Sequence, residues 1–575
     1  MAPVALLLDA LGPRDRWYKR TTETWAARFA REDVTLQTPS KPGHPRWAWR
    51  MTLGVTALVL AGCGGEEKSP PPAVQPAVFG DPAAFGREGC APGSLAGLAP
   101  GGIWHVDNTT ITRGSFPSVI RYDEEPAGLT ARLNGRPADD LRFTGDDLFT
   151  RIEYKAADGY AVVRAYDACR LDPDGSIGGS FGRCEKGQCF SGTFRAVRVE
   201  RIPGEVESQG IEKVSEWAGD PAAPWEAGIS VNVRVKDGLV YLARYYDGLR
   251  IIDVSDPAAP GDVGGSPVKS PTDKEFYNDV KLTDAADGKR YALMASNRRG
   301  VVCLDVSDPA SPKEVATFPA VPEGEDHINV HTLFIETLGA STRAYIADLT
   351  SGGLGVYDVT DPTSPVLLGT FVHPDVPAKE DQRAAPQSAK HLASGEAFLH
   401  DLYVEEGRAY LSYWGLGLVI VDATSAPAPI VQVGQFKDYK RRTNHSNWVT
   451  TVGERKIVVV GDEDFGAHMR VLDADPASNG YMTMIGELSL RPEVSIHNIM
   501  AFEDKAFVAH YQDGLRIIDL SDPTAPAVTG YFNTWDGRNG SSFYEGATGI
   551  DVDREAGLVY IADTERGLLI VREAM

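Results

Sequence analysis

The amino-acid sequence predicts an all-β protein in two parts, and three observations lead to that prediction. A short apolar phrase ending in aspartate, first seen as Gly248-Leu-Arg-Ile-Ile-Asp253, returns repeatedly towards the carboxyl end. Residues 101–200 contain several stretches in which apolar and polar residues alternate, as in half-buried strands. Gly and Pro are abundant, at 59 and 38 of 575 residues, as expected where tight turns join many short strands.

The spacing of the phrase predicts the architecture of the larger part. Its closing aspartates are Asp253, Asp305, Asp358, Asp422, Asp473 and Asp519. They are 52, 53, 64, 51 and 46 residues apart, within or near the roughly 40–50-residue period of propeller blades. Each unit contains four short strand patterns, which is the content of one blade. The aspartates of the Asp-Val-Ser-Asp-Pro turns recur from blade to blade, so we interpret them as caps of backbone amides.

The first strands of the units give the number of blades. Equivalent openings are expected at Val231, Asn278, His331, His400, Ser446, His497 and Thr548. The sequence therefore predicts a seven-bladed β-propeller over residues 211–575. Residues 212–217 have the pattern of a last strand. We expect them to complete the seventh blade and close the ring, which leaves no exposed sheet edge there.

One copy of the phrase, Leu418-Val-Ile-Val-Asp422, and its relatives in the other units resemble the LVIVD repeat family. The resemblance covers residues 213–572 and implies a β-propeller. It assigns no catalytic residue. Together with the amino-terminal features described below, it suggests an LVIVD repeat-containing bacterial lipoprotein.

Residues 90–203 are predicted to form a small antiparallel β barrel or sandwich before the propeller. Gly102-Ile-Trp104 resembles the opening motif of a lipocalin-like barrel. Four cysteines fall in this part and suit one or two disulfides in an oxidising compartment. They are Cys90, Cys169, Cys184 and Cys189. Three pairings are open, one of them Cys184–Cys189 with Cys90–Cys169. Cys303, in an apolar strand, is interpreted as a buried thiol.

Residues 51–63 have the features of a lipoprotein signal. The apolar run is too short to span a bilayer, and Arg50 precedes it. Leu60-Ala-Gly-Cys63 resembles a lipobox, which implies lipidation of Cys63. We therefore divide the amino-terminal region into an extension with signal peptide, 1–63, and a Pro/Gly-rich tether, 64–89. The fifty preceding residues indicate an over-extended start, and a transmembrane anchor is the alternative.

Candidate ligands lie where first strands should line the central channel. His331, His400 and His497, with His445 and Asp401 nearby, could hold a divalent metal; the alternative is hydrogen bonding between blades. A second candidate is an acidic cation site at Asp462, Glu463 and Asp464, for which a solvated loop is the alternative. The insertion 373–397 is a candidate binding lip.

Function is bounded by charge and by motif. The formal charge is −23, which argues against nucleic acid as a partner. No nucleophile elbow, phosphate-binding loop or zincin motif is present, so no catalytic residue is predicted. We expect an exported outer-membrane or cell-surface lipoprotein, with the periplasmic face as an alternative, that binds a protein or glycan. Other hypotheses are a metal-dependent, lactonase-like hydrolase and an apolar-ligand carrier using the amino-terminal β domain.

Overall fold

A computed structural model describes residues 79–574 apart from 111–113, 157–158, 220–228, 268–274, 322–328, 377–396, 438–442, 467, 536, 538–539 and 541. The predicted signal, the predicted lipidation site Cys63 and most of the 373–397 insertion lie outside the described residues. The described chain folds into strands, with one short 3₁₀ helix at Pro82–Ala84. Within these residues, no helix has the length and apolarity needed to cross a membrane. The predicted all-β class is confirmed.

The first nine strands form one antiparallel sheet. They are β1 (Gly102–Thr110), β2 (Gly114–Glu125), β3 (Gly128–Leu133), β4 (Arg136–Pro137), β5 (Asp140–Phe143), β6 (Leu148–Lys155), β7 (Ala161–Leu171), β8 (Ile177–Glu185) and β9 (Gln188–Val199). Their order across the sheet is β4-β3-β2-β1-β9-β8-β7-β6-β5, and β3 lies against β5 and β6. The sheet therefore rolls into a barrel around one core, and we call this part the barrel.

The barrel interior is filled by side chains rather than left hollow. Trp104, Tyr122, Tyr166, Phe181 and Phe194 are buried in one cluster there. Trp104, the tryptophan of the Gly-x-Trp motif, donates its indole N–H to the Pro100 carbonyl at 2.8 Å. These large rings contribute much of the apolar area that the barrel buries.

Two disulfides join the four cysteines of this part. Cys90 pairs with Cys169, and Cys184 pairs with Cys189 across the hairpin of β8 and β9. This is one of the three pairings left open by the sequence. Cys303 is a free, fully buried thiol, and burial raises its pKa to about 12.

Seven further sheets are the blades. Blade 1 is β12 (Ser230–Lys236), β13 (Leu239–Arg244), β14 (Gly248–Asp253) and β15 (Gly261–Ser266); blade 2 is β16 (Tyr277–Asp284), β17 (Arg290–Ser296), β18 (Gly300–Asp305) and β19 (Lys313–Phe318). Blade 3 is β20 (Val330–Leu338), β21 (Ser341–Asp348), β22 (Gly353–Asp358) and β23 (Val366–Val372); blade 4 is β24 (Leu399–Glu405), β25 (Arg408–Tyr413), β26 (Gly417–Asp422) and β27 (Val431–Phe436).

The remaining blades include strands from before blade 1. Blade 5 is β28 (Asn444–Val452), β29 (Arg455–Asp462), β30 (Met469–Asp473) and β31 (Met484–Leu488); blade 6 is β32 (Ile499–Phe502), β33 (Lys505–Ala509), β34 (Leu515–Asp519) and β35 (Ala527–Phe532), with β10 (Ser208–Gln209) as a fifth strand. Blade 7 is β36 (Ala547–Asp553), β37 (Leu558–Asp563), β38 (Gly567–Glu573) and β11 (Ile211–Trp217). The predicted count of seven blades is confirmed.

The ring closes as the sequence predicted. β11 pairs antiparallel with β38, from Ile211 opposite Glu573 to Trp217 opposite Leu568. Arg566 joins the two segments, because its guanidinium donates to both carboxylate oxygens of Glu216. A strand that precedes blade 1 in the sequence thus completes the last blade.

The recurrent aspartates cap turns, as predicted. Asp253 accepts a hydrogen bond from the Ser255 amide at 2.8 Å, and Asp256 accepts one from the Ala258 amide at 3.1 Å. The same bonds recur after β18, β22 and β34. In each turn the carboxylate accepts a hydrogen bond from a backbone N–H that would otherwise need water as its partner. The local geometry of the turn therefore explains why aspartate recurs at these positions.

The barrel packs against one end of the propeller. We call the end at which the first strand of each blade begins the upper end, and the opposite end the lower end. The buried His105 of β1 donates Nδ1–H to the Glu493 carbonyl at 2.6 Å, and its ring lies 4.7 Å from that of Phe543. Arg201 donates to the Trp535 carbonyl at 3.1 Å. Glu493, Trp535 and Phe543 all belong to segments that enter first strands at the upper end.

Candidate functional site

A β-bulge near the start of each first strand sets the channel lining. In blades 1–5 and 7 the pairing register skips one residue between the first and second strands. In blade 6 the His497 amide and the Asn498 carbonyl both bond to Ala509, which gives the same arrangement. The bulged residues are Val231, Asn278, His331, His400, His445, His497 and Thr548. A bulge leaves its residue out of the ladder and can redirect its side chain.

One predicted opening was therefore wrong by one residue. In blade 5 the bulged position is occupied by His445, and Ser446 pairs with Gly461 as the next ladder residue. The error arises because a bulge shifts the alternation without any mark in composition. The correction increases the number of histidines at the equivalent position from three to four, in the consecutive blades 3 to 6.

These four imidazoles form a continuous arc around the upper part of the channel. Ring centroids are 4.0 Å apart for His331 and His400, 4.3 Å for His400 and His445, and 4.4 Å for His445 and His497. His497 donates Nδ1–H to the Thr548 carbonyl at 2.6 Å, which fixes the orientation of its ring. His331, His400 and His497 line a cavity of about 70 Å³, which we call the upper chamber, and the buried His445 lies at its wall between His400 and His497.

A carboxylate enters the upper chamber from a different structural position. Glu463 follows the second strand of blade 5, and its Oε2 lies 3.5 Å from His445 Nε2. Its Oε1 accepts a hydrogen bond from the Tyr511 hydroxyl and lies 3.9 Å from His497 Nε2. The equivalent residues of the other blades are Tyr245, Asn297, Leu349, Trp414, Tyr511 and Thr564, so blade 5 alone supplies a carboxylate there.

Burial controls the charge of these groups. It holds the pKa of His400 and His445 well below the usual histidine value, and the neighbouring imidazoles lower both further. Burial also lowers the pKa of His331 and of His497 to about 4. The pKa of Glu463 is raised to about 8 by burial, against the opposing effect of the Tyr511 hydrogen bond. The chamber thus favours the neutral forms of both the imidazoles and the Glu463 carboxyl; a metal ion would bind the neutral imidazoles as they are and would displace the proton of Glu463.

Three of these residues converge closely enough to share one ion. Single ligand atoms of His400, His445 and Glu463 lie within 4.8 Å of one another, and all three side chains are buried. Of the five channel ligands expected from the sequence, this set contains His400 and His445 but not His331, His497 or Asp401, and it adds Glu463. His331 and His497 remain neighbours in the arc, and Glu463 was predicted for a separate acidic site.

Asp401 lies lower in the channel and has a different role. Its Oδ1 accepts the Thr332 hydroxyl at 2.8 Å and the Leu402 amide at 2.7 Å. Nearby, Lys281 Nζ lies 2.6 Å from Asp279, and Asn232 donates to Asp279 at 2.6 Å. These groups line a cavity of about 50 Å³, the lower chamber. Asp401 thus makes the bond between blades that was the alternative interpretation.

The three acidic residues of the predicted cation site face different partners. Asp462 forms an ion pair with Arg470, Glu463 enters the upper chamber, and Asp464 accepts the Phe465 amide at 2.7 Å. Asp348 and Asp563, the comparable carboxylates of blades 3 and 7, accept amides of their own loops. Of these three carboxylates, Glu463 is the one that lines the channel.

An aromatic cluster at the lower end of the channel was not predicted. Phe334, Tyr403 and Trp448 stand at equivalent positions of blades 3, 4 and 5, with centroids 5.2 Å and 4.8 Å apart along the series. Arg234 and Lys281 occupy the same position in blades 1 and 2. A groove of about 230 Å³ runs between the aromatic and cationic sides. We call the surface formed by these three aromatic and two cationic side chains the lower mouth. Side chains two residues apart on a strand point to the same face, so the sequence could have shown these positions by counting two residues on from Asn232, Asp279, Thr332 and Asp401.

A protein-family model matches five of the repeated segments of the sequence. A family model described as the LVIVD repeat matches residues 227–265, 287–319, 344–372, 398–438 and 496–534. No curated protein matches the chain.

Similar solved structures include WD40 propellers. The Neurospora crassa Pan2 WD40 domain is 11% identical with a TM-score of 0.44, over 64% of this chain and 96% of that one. The WD40 β-propeller domain of Doa1 is 10% identical with a TM-score of 0.42, over 64% and 98%. The computationally designed Ika8 protein is 10% identical with a TM-score of 0.37, over 60% and 95%. The number of blades is therefore taken from the strand pairing of the chain and not from these structures. The chain carries the LVIVD repeat, which lies in blades 1, 2, 3, 4 and 6 of its seven-bladed propeller.

Proposed function

We propose that the protein is an exported, lipid-anchored interaction scaffold. In this proposal the Sγ of Cys63 carries the lipid, the predicted tether of residues 64–89 connects it to the barrel, and the lower mouth binds a protein or glycan. The outer membrane or cell surface is the proposed location, with the periplasmic face as the alternative. The negatively charged chain argues against a nucleic-acid partner.

The arrangement of barrel and propeller is the observation that carries this proposal. Phe79, the first described residue, packs with Phe85 and Phe149 against the barrel, so the tether enters on that side. His105 and Arg201 join the barrel region to the upper end of the propeller. The lower mouth is at the other end of the first strands and therefore faces away from the tether's point of entry. Such an orientation suits a propeller that presents one face to a partner.

The chemistry of the lower mouth and the disulfides support the same proposal. Trp, Tyr and Arg are the residue types that contribute most binding energy at protein interfaces, and aromatic faces offer large apolar area with little conformational freedom to lose. Trp448, Tyr403 and Arg234 are partly exposed there. The disulfides Cys90–Cys169 and Cys184–Cys189 are typical of proteins folded in an oxidising compartment. A filled barrel core gives no such support to the carrier hypothesis.

Membrane fractionation and lipid labelling test the anchor. Full-length protein expressed in bacteria is expected in the membrane fraction and to incorporate labelled palmitate, whereas Cys63→Ala should lose both properties. Cys303→Ala is the matched control, because that thiol is buried in blade 2 and should not affect labelling. Membrane association and label retained in Cys63→Ala would contradict the proposal.

Crosslinking in intact cells tests the binding face. A photoreactive amino acid at position 448 is expected to give a discrete crosslinked species, because Trp448 lies in the lower mouth. The same group at Thr370, exposed on the outer strand of blade 3, is the control and should give none. Equal crosslinking from both positions, or none from position 448, would contradict the assignment.

A further inference from the structure

We propose that the upper chamber binds one divalent transition-metal ion, with His400, His445 and Glu463 as its protein ligands. This proposal is independent of the lipid anchor and of the lower mouth, because the chamber lies at the upper end of the channel.

The first argument is the way in which three blade positions converge. His400 and His445 are the bulged residues of adjacent first strands, and Glu463 reaches them from the end of a second strand at the wall of the chamber. Their ligand atoms lie within 4.8 Å of one another. Tetrahedral bonds of about 2.1 Å place ligand atoms about 3.4 Å apart. Side-chain rotations that shorten these separations by up to about 1.4 Å would complete the geometry.

The second argument is the lack of other partners. Among the described residues, neither ring nitrogen of His445 accepts or donates a hydrogen bond, and His400 Nδ1 has no partner either. Both side chains are almost fully buried, with exposures of 1% and 2%. Buried polar atoms are nearly always satisfied, and each exception calls for a cause. A metal ion would accept the one lone pair that each neutral imidazole carries on its unprotonated nitrogen.

The third argument is the support around the ligands. Tyr511 donates its hydroxyl hydrogen to Glu463, which orients that carboxylate. His497, held by the Thr548 carbonyl, directs Nε2 towards Glu463 Oε1 at 3.9 Å. The hydrogen bond from Tyr511 to Glu463 is of the kind that fixes ligand orientation in metal sites. The site is specific to blade 5, since the other blades carry no carboxylate at the position of Glu463.

The donor set indicates the class of ion. Two imidazoles and one carboxylate suit Zn²⁺, Co²⁺, Ni²⁺ or Cu²⁺, whereas Ca²⁺ and Mg²⁺ prefer shells of oxygen ligands. Three protein ligands leave at least one coordination position open. The chamber of about 70 Å³ has room for water at that position.

Metal titration of the purified full-length protein tests the proposal. After treatment with chelator and removal of the chelator, we expect one equivalent of Co²⁺ to bind, with visible absorption typical of nitrogen and oxygen ligands. Zn²⁺ should displace the Co²⁺, whereas excess Ca²⁺ or Mg²⁺ should not. A folded protein that binds no stoichiometric Co²⁺ or Zn²⁺ would overturn the proposal, whatever the result of the anchor experiment.

Matched variants locate the ion. Glu463→Gln keeps the shape and an oxygen acceptor for Tyr511, and is expected to weaken Co²⁺ binding by more than about 10-fold. His445→Asn should do the same. His331→Gln changes the ring 4.0 Å from His400 but removes no proposed ligand, so its affinity should equal that of wild type. Unchanged binding in folded Glu463→Gln, or equal loss in His331→Gln, would refute the ligand assignment.

Discussion

Removal of one apolar side chain from the closing strand tests whether β11 holds the ring together. Ile211 is the first residue of β11 and is 3% exposed. It packs with residues of blades 6 and 7, among them Phe532 and Val571. We predict that Ile211→Ala destabilises the propeller, because it removes buried carbon atoms where the strand before blade 1 packs on the last strands of the propeller.

The expected magnitude follows from burial and size. Truncation of a buried isoleucine to alanine costs about 2–5 kcal/mol, and we take about 3 kcal/mol. Unfolding entropy of about 2.1 cal/mol/K per residue, over the about 360 residues of the propeller, amounts to about 0.8 kcal/mol/K. The melting temperature should therefore fall by about 4 °C.

Thermal unfolding followed by circular dichroism measures this shift. Glu212→Ala is the matched control, because Glu212 is the next residue of the same strand and its side chain is exposed. We expect the control to melt within error of the wild type. If Ile211→Ala melts with the control, β11 does not stabilise the ring and the closure argument is refuted.

Two further predictions concern the barrel. Loss of Cys90–Cys169 by double alanine substitution should cost more stability than loss of Cys184–Cys189, because the paired residues are 79 and 5 residues apart. From chain entropy the two losses are about 4.5 and about 2 kcal/mol. Comparison of the melting temperatures of the two variants checks this, and an equal or reversed order would contradict it. Burial lowers the pKa of His105 from 6.5 to about 4, so below pH 6.5 the unfolded state binds a proton that the folded state does not. His105 alone should lower stability by up to about 3 kcal/mol between pH 6.5 and pH 4, in addition to the effect of the buried channel histidines. His105→Gln should therefore make the dependence of melting temperature on pH shallower, and an unchanged slope would exclude His105 as one of its sources.

Sequence alone could predict the fold because its causes are repeated along the chain. The aspartate that closes each third strand and caps its turn recurs often enough to give the period, and the period gives the blades. The pairing of Ile211–Trp217 with the last blade followed from the same pattern. For residues 90–203 the sequence did not decide between a barrel and a sandwich, because alternation shows which residues are buried but not how a sheet curves.

The candidate site was predicted only in part, and for physical reasons. Alternation placed His400 at the channel but placed Ser446 where His445 lies, because the bulge adds a residue without changing composition. Glu463 joins the histidines only through the packing of a second strand beside a first strand. Its neighbours Asp462 and Asp464 suggested an acidic cluster, yet backbone geometry directs the three carboxylates apart. Alignment of the residues that follow each second strand would have shown Glu463 as the single carboxylate at that position.

The mass of the mature protein tests the proposed function most directly. Protein purified from bacterial membranes in detergent and measured intact by mass spectrometry should begin at Cys63 and carry acyl chains on that residue. Its mass should therefore match residues 63–575 with two disulfides, plus the lipid. A mature chain that retains residues 1–62, or one with an unmodified Cys63, would contradict the lipid anchor and with it the proposed scaffold at a membrane.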